Sequence, residues 1–307
     1  MNIFTSSIVA VLAAGFTAQA AAAEGWVSDW AKAKAVAAES KRDLLVDFTG
    51  SDWCGWCIKL REEVFSKPEF ETVGKDFVFV EIDFPKDKSK LSEETQKQNA
   101  GLQTEFTVRG FPTIVLCDAS GRPYARTGYV PGGAASYVEH LGKLRSVRAE
   151  RDAAFTEAEK TTGVEKARLL AKGVSVLAAD CLHPFYDSTL AEIAKLDPED
   201  ATGIVKREKQ IGEFKQLETV LGGTRDLESR LSLIDKFIAE QKPEGELKQR
   251  VLFSKSGAYF SAENKGEAAA LLDQIVAIDA SSELGKRAAE VKQRFFSEGA
   301  AAKEAAK

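Results

Sequence analysis

The sequence predicts an α/β domain, a central sheet flanked by helices, followed by an all-helical domain. Three observations predict it. Short apolar runs of high β propensity alternate with helix-spaced segments as far as about Arg148. From Ala149 onward the strand signals stop, and Ala, Leu, Glu and Lys recur with helical periodicity. At 307 residues the chain is long enough for two domains of ordinary size, each with its own core.

The elements follow in order. Ile8 to Ala18 is an apolar run, followed by small residues that suit cleavage after Ala20 (Ala18-Gln19-Ala20) or Ala23, so residues 1–23 are expected to be a secretory signal. The run is too short to cross a bilayer as a helix. A buried N-terminal helix fits poorly with so many consecutive Ala residues and no polar face. No cysteine precedes Cys54 to carry a bacterial lipid anchor. The mature protein is therefore expected in the periplasm or secreted, without stable membrane insertion.

Residues 24–148 are expected to form the α/β domain. Trp26 to Ser40 has apolar residues at helical spacing, and Leu44 to Phe48 is a buried strand. Phe65 to Phe70 continues a helix with Pro68 as a breaker. Phe77 to Ile82 and Thr113 to Leu116 are further strands, the latter closed by the turn Asp118-Ala119-Ser120-Gly121. The polar segment from Pro85 to Thr104 is a solvated loop and a surface helix. This alternation suggests parallel pairing.

Residues 149–298 are expected to be the helical domain. Leu190, Ile193, Leu196 and Asp197 match Leu272, Ile275, Ile278 and Asp279, with Ile234 and Phe237 near the midpoint. A period of about 41 residues suits stacked helical hairpins, and Ala194-Lys195-Leu196-Asp197-Pro198 looks like the end of a tetratricopeptide-type hairpin. An irregular bundle is the alternative. The tail, residues 299–307, is expected to be flexible.

Hydrophobic residues make up 44% and charged residues 29%, an ordinary balance for soluble protein. A net charge of −5 gives no reason to expect nucleic acid or an anionic membrane as partner. Four cysteines are too few for a disulfide framework in a chain this long. Only Cys54 and Cys57 stand close together, directly after the first strand and at the head of the helix that continues through Ile58 to Val64. A cysteine at the first turn of a helix meets free backbone N–H groups and the positive end of the dipole. Both favour a thiolate, so Cys54 is expected to titrate below about 8.5. The alternatives are a static disulfide or half of a metal site. Zinc wants four ligands, and the chain has no second Cys pair, only His140 and His183 in no metal-like spacing. No Gly-rich nucleotide fingerprint is present, so no cofactor is expected.

Val46-Asp47-Phe48, then Trp53-Cys54-Gly55-Trp56-Cys57, then Val108-Arg109-Gly110-Phe111-Pro112-Thr113, then Gly121 and Gly128, resemble the thioredoxin family in order and spacing. The segment Phe48-Thr49-Gly50-Ser51-Asp52-Trp53 is similar to exported bacterial thioredoxin-like proteins, with one extra residue before the pair. The resemblance covers about Leu44 to Tyr137. It implies a mixed sheet flanked by helices and thiol–disulfide exchange on protein thiols and disulfides, with an external electron donor. It makes Cys54 the nucleophile, Cys57 the resolving thiol and Phe111–Pro112 a cis peptide facing the pair. The exposed backbone of Phe111 would pair with an extended substrate segment, and Trp53 and Trp56 would flank the sulfurs as an apolar docking surface. Asp47 would relay the proton of Cys57. A lone acid in an apolar strand is also costly on its own terms unless paired.

Two departures bear on redox direction. The pair encloses Gly-Trp, with none of the His that oxidising relatives carry, and Phe77 to Ile82 has no Lys where thioredoxins carry one. Without an imidazole to stabilise the Cys54 thiolate, the resemblance points to a reductase. Oxidase or isomerase chemistry is the alternative. A different class of reading makes the helical domain the working part, binding partners, with the α/β domain as scaffold. Cys117 is expected to be a small buried hydrophobe. Cys181 lies beside His183, a pairing that can be nucleophilic but has no positioning motif around it, and a Cys117–Cys181 disulfide stays open.

Overall fold

In the computed structural model, residues 25–296 are described, and the expected signal (1–23) and flexible tail (299–307) lie outside them. Four strands form one mixed sheet in the order β2-β1-β3-β4: β1 Asp43–Thr49, β2 Phe77–Asp83, β3 Thr113–Cys117 and β4 Pro123–Thr127. Only β1 and β2 run parallel. β3 pairs antiparallel with β1 and with β4. The expectation of parallel pairing therefore fails beyond β2. The turn at Asp118–Gly121 is short enough to return β4 directly along β3, a hairpin that needs no crossover helix. β4 carries little strand signal of its own, since Pro123 opens it and charged Arg126 lies within it.

Strand alternation divides the side chains of β1 between two faces. Leu44, Val46 and Phe48 join Val78, Val80, Ile82 and Val115 in a core with Ala33 and Ala37 of α1 (Trp30–Ser40) and Leu102 of α4 (Glu93–Glu105). Asp43, Leu45 and Asp47 face the other way; α2 (Gly55–Leu60) and α3 (Pro68–Glu71) follow β1, and the later α5 (Gly133–Ala158) reaches Asp43 through Arg145 and Arg148. The first helix is shorter than expected. Asp29 caps α1, its carboxylate accepting from the Lys32 N–H at 2.8 Å, while Val27 before it pairs with β2 as an isolated bridge. Pro68 both ends one helical segment and starts the next, since α3 opens on it at the first turn, where a missing N–H costs nothing.

The expected domain boundary at 148/149 falls inside α5, and the first compact unit runs on to Leu196. Arginines spaced along α5 explain the continuation. Arg145 and Arg148 reach buried Asp43, which also accepts from the Tyr124 hydroxyl at 2.8 Å. Arg151, fully buried, donates to Asp118 at 3.1 Å and to the Tyr186 hydroxyl, which in turn donates to the Pro123 carbonyl at 2.9 Å. Tyr186 lies between α7 (Ala179–Leu182) and α8 (Asp187–Leu196), which follow α6 (Gly163–Ser175). These short helices thus share polar bonds with the sheet.

The second unit begins at Asp197 and contains α9 (Ile204–Gly223), α10 (Leu227–Gln241), α11 (Gly245–Ser261), α12 (Lys265–Ile278) and α13 (Glu283–Phe296). Consecutive helices pack on one another, and α11 contributes to two apolar clusters, one around Phe214, Ile234 and Phe237 and one around Leu271, Leu272 and Ile275. The matched residues Asp197 and Asp279 both follow helix ends and accept from backbone N–H groups, but at different spacings. Asp197 accepts from the N–H groups of Ala201 and Thr202, and Asp279 from those of Ser281 and Ser282.

Candidate active site

β1 ends at Thr49, and Gly50 to Trp53 turn the chain into α2. Gly50 is required there: a Cβ on it would lie 2.5 Å from the Trp53 ring. Trp53 is held instead by its indole N–H, which donates to the Phe84 carbonyl at 2.7 Å, and by an edge-on contact with Phe111 at 5.8 Å. Cys54 is the N-cap of α2, in extended conformation, and its sulfur accepts from the Cys57 N–H at 3.2 Å. Cys54 and Cys57 are joined as a disulfide with Cα atoms 5.2 Å apart, and both are buried. Cys57, Leu60 and Val64 recur at helical spacing on the buried side. The helix widens into a π turn over Arg61–Phe65, a distortion that occurs often at functional sites.

The Phe111–Pro112 peptide is cis, as the resemblance implied. Its position follows from strand register. β3 begins at Thr113, which pairs with Phe48 near the end of β1, so Pro112 and the cysteine pair lie at the same end of the sheet. Gly128 approaches the same spot, since a Cβ on it would lie 3.2 Å from the Pro112 carbonyl oxygen. Trp53 and Trp56 are 42% and 58% exposed. They belong to different aromatic pairs. Trp56 packs at 5.1 Å on Tyr129, with the Lys59 ammonium 5.2 Å from both ring centroids. The Tyr129 hydroxyl donates to Glu63 at 2.6 Å. Sequence reasoning missed Tyr129, Lys59 and Glu63, which carry no motif and meet only through the fold.

Asp47 is 3% exposed, and its Oδ1 has no hydrogen-bond partner among the described residues. Burial pushes its carboxyl up to about 8, the negative charge of Glu81 adds to the rise, and Arg61 opposes it. A carboxyl raised this far is, once ionised, a base matched in strength to a thiol. Glu81 and Arg61 were also missed, although Glu81 is an acid flanked by Val80 and Ile82 in a strand, a signal akin to the one that singles out Asp47.

The sequence profile of a thioredoxin-like domain matches residues 30–141. A disulfide bond reductase, DsbH of Chlamydia pneumoniae, is 38% identical over 130 residues, which are 42% of this chain and 77% of that protein. The chain belongs to the thioredoxin-like family. It is a thiol–disulfide oxidoreductase, a class in which paired cysteines are the reacting groups. A thioredoxin-related protein of the same organism, DsbJ, is 36% identical over 104 residues, 34% of this chain and 30% of that one. A solved structure of a DsbH oxidoreductase matches at 36% identity with a TM-score of 0.37, covering 39% of this chain and 83% of the other.

The remaining cysteines of this thioredoxin-like chain are not paired with each other. Cys117 and Cys181 are free and buried, which answers the open disulfide. Burial pushes the Cys117 thiol well above its ordinary value and Cys181 up to about 12. A thiol held that high is mostly un-ionised at neutral pH, and neighbouring His183 is turned to Asp187 at the surface. Among the described residues no group of three His, Cys, Asp or Glu side chains is arranged to hold a metal ion, and no helix is long and apolar enough to cross a membrane.

Proposed function

We propose that the protein is an exported reductase of protein disulfides, with Cys54 as nucleophile and Cys57 as resolving thiol. The observation that carries this reading is the place of the pair, a disulfide at the N-cap of α2, at the same end of the sheet as Phe111–Pro112. In the reduced protein the Cys54 thiolate attacks a target disulfide. That S–S bond breaks, a mixed disulfide forms at Cys54, and one target sulfur leaves as a thiolate that takes a proton. Cys57 then gives its proton to the Asp47 carboxylate and attacks the Cys54 sulfur. The second target sulfur departs, and Cys54 and Cys57 close to the disulfide seen here. A dithiol donor returns two electrons and two protons.

Trp53, Trp56 and Phe111 are proposed to receive the target. The first two are exposed aromatic faces at the cysteine end of the sheet, and Phe111 offers its backbone to an extended segment. The reducing direction is supported by the lack of an imidazole in the motif and by the similar protein named a disulfide bond reductase. Export is supported by the apolar run Ile8–Ala18 and the small residues after it, and is checked by the N-terminal residue of the mature protein. The helical unit beginning at Asp197 is proposed to select partners.

The deciding measurement is the reduction potential of the pair in the mature protein, equilibrated against glutathione buffers. A reductase is expected near or below about −230 mV. A value of about −180 to −120 mV assigns an isomerase or oxidase instead. Failure of the pair to exchange at all leaves a partner-binding scaffold.

A further inference from the structure

Asp47 does not sit alone beneath the active-site helix. β1 and β2 run parallel with Asp47 opposite Glu81, so both acids project from the same sheet face. Glu81 is held by Arg61, which lies four residues after Cys57, at the start of the π turn. The pair reaches solvent: the Arg61 and Glu81 side chains are 41% and 25% exposed, while Asp47 is buried. The other groups near Asp47 are committed elsewhere. Asp83 of β2 accepts from the Ser51 N–H at 2.9 Å and its hydroxyl at 2.6 Å. Tyr137 of α5 donates to the Gly128 carbonyl at 3.0 Å. β3 sets apolar Ile114 opposite Asp47.

We propose that Arg61 and Glu81 are a positioning pair for Asp47, setting the pH range in which it accepts the proton of Cys57. The inference rests on the proposed role of Asp47. Burial sets most of the rise, and the opposite charges of Glu81 and Arg61, fixed beside the acid, adjust it in opposite senses. Glu81 makes a second negative charge on that face costlier, and Arg61 makes it cheaper. Removing either partner loosens the same contact but leaves an opposite charge uncompensated beside Asp47. The two losses must therefore act on Asp47 in opposite directions. A pair that merely tied the helix to the strand would give losses of the same sign.

The test follows the Asp47 carboxyl by carbon NMR titration of the full-length oxidised protein, assigned by its disappearance in Asp47→Asn. Arg61→Met is expected to move the Asp47 midpoint up by about one pH unit, and Glu81→Gln to move it down by about as much, a tenfold change in ionisation each way. The double variant is expected back near wild type, as is Arg61→Lys, which keeps the charge. Midpoints that stay put, or that move together, overturn the proposal. A parallel measurement, the pH profile of mixed-disulfide resolution, separates this from the reading beneath it. If Asp47→Asn leaves that profile unchanged, the relay role of Asp47 falls, while the titrations still decide what the pair does to Asp47. Should one single variant fail to fold, the other carries the test: a midpoint that moves in its stated direction, with Arg61→Lys at the wild-type value, supports the proposal, and one that stays put overturns it.

Discussion

At the residue scale, the buried carboxyl of Asp47 is expensive, and the expense depends on pH. In the folded oxidised protein it keeps its proton up to about 8, whereas in the unfolded chain it ionises in the ordinary carboxylate range. Between about pH 4 and 8 the native state therefore holds a proton that the unfolded state has released, so this group makes stability fall as pH rises through that window. Asp47→Asn is expected to match wild type near pH 4 and to exceed it by roughly 3 to 6 kcal/mol near pH 9. Urea unfolding of the oxidised proteins at both pH values checks this, and a difference independent of pH would show that Asp47 is not held neutral. Nearby, Gly50 leaves room for the Trp53 indole, and no other residue does. Gly50→Ala is expected to break the bond from Trp53 to Phe84, raise the exposure of the indole and lower kcat/KM for a protein disulfide such as that of insulin by about tenfold. Tryptophan fluorescence quenching and the reduction assay read the two effects.

At the scale of elements, the cysteine pair, the first three strands and the helices were legible because each carries a local signal. An apolar β-branched run, a polar charged segment, and a Cys-x-x-Cys at a strand–helix junction each announce themselves within a few residues. What was not legible depends on register and on long-range meetings. β4 is short, opens on Pro123 and carries charge, so its β character comes from pairing with β3 rather than from its own residues. Glu81 becomes a neighbour of Asp47 only once β2 is set beside β1 in one particular register. Tyr129, Lys59 and Glu63 come from a loop and a helix far apart in sequence. The same limitation hid the reach of α5, whose mixed composition gave no stop signal at Arg148. Arg151 is its most committed residue, buried against Asp118 and Tyr186. Arg151→Ala would leave Asp118 in a half-satisfied pocket, and removing one partner of a buried pair typically costs about 3 to 5 kcal/mol. Because Arg122 also pairs with Asp118, the loss is expected at the lower end of that range, seen as an earlier urea transition of the first unit.

At the scale of the whole molecule, the two candidate boundaries make different molecules. Cutting after Arg148 severs α5 in mid-helix and removes Arg151, Tyr186 and the helices α6 to α8. The carboxylate of Asp118 then loses its buried partner, and apolar residues that α6 to α8 now cover, among them Ala154 and Ala158 of α5 and Cys117 of β3, are either lost or opened to water. Cutting after Leu196 keeps every bond named in the first unit. The chain 1–196, carried through export, is expected to be soluble and to unfold cooperatively in urea, whereas 1–148 is expected to unfold at markedly lower denaturant or to precipitate. Because Asp47, Cys54, Cys57, Arg61, Glu81 and Phe111–Pro112 all lie well before Leu196, the shorter protein is also expected to keep the reduction potential of the full chain. If the helices from Asp197 onward select partners, 1–196 should reduce a small-molecule disulfide at the full-length rate and lose only its advantage on protein targets. A full-length rate on both would take the selecting role away from the second unit, and a changed potential would mean that the first unit does not set the chemistry alone.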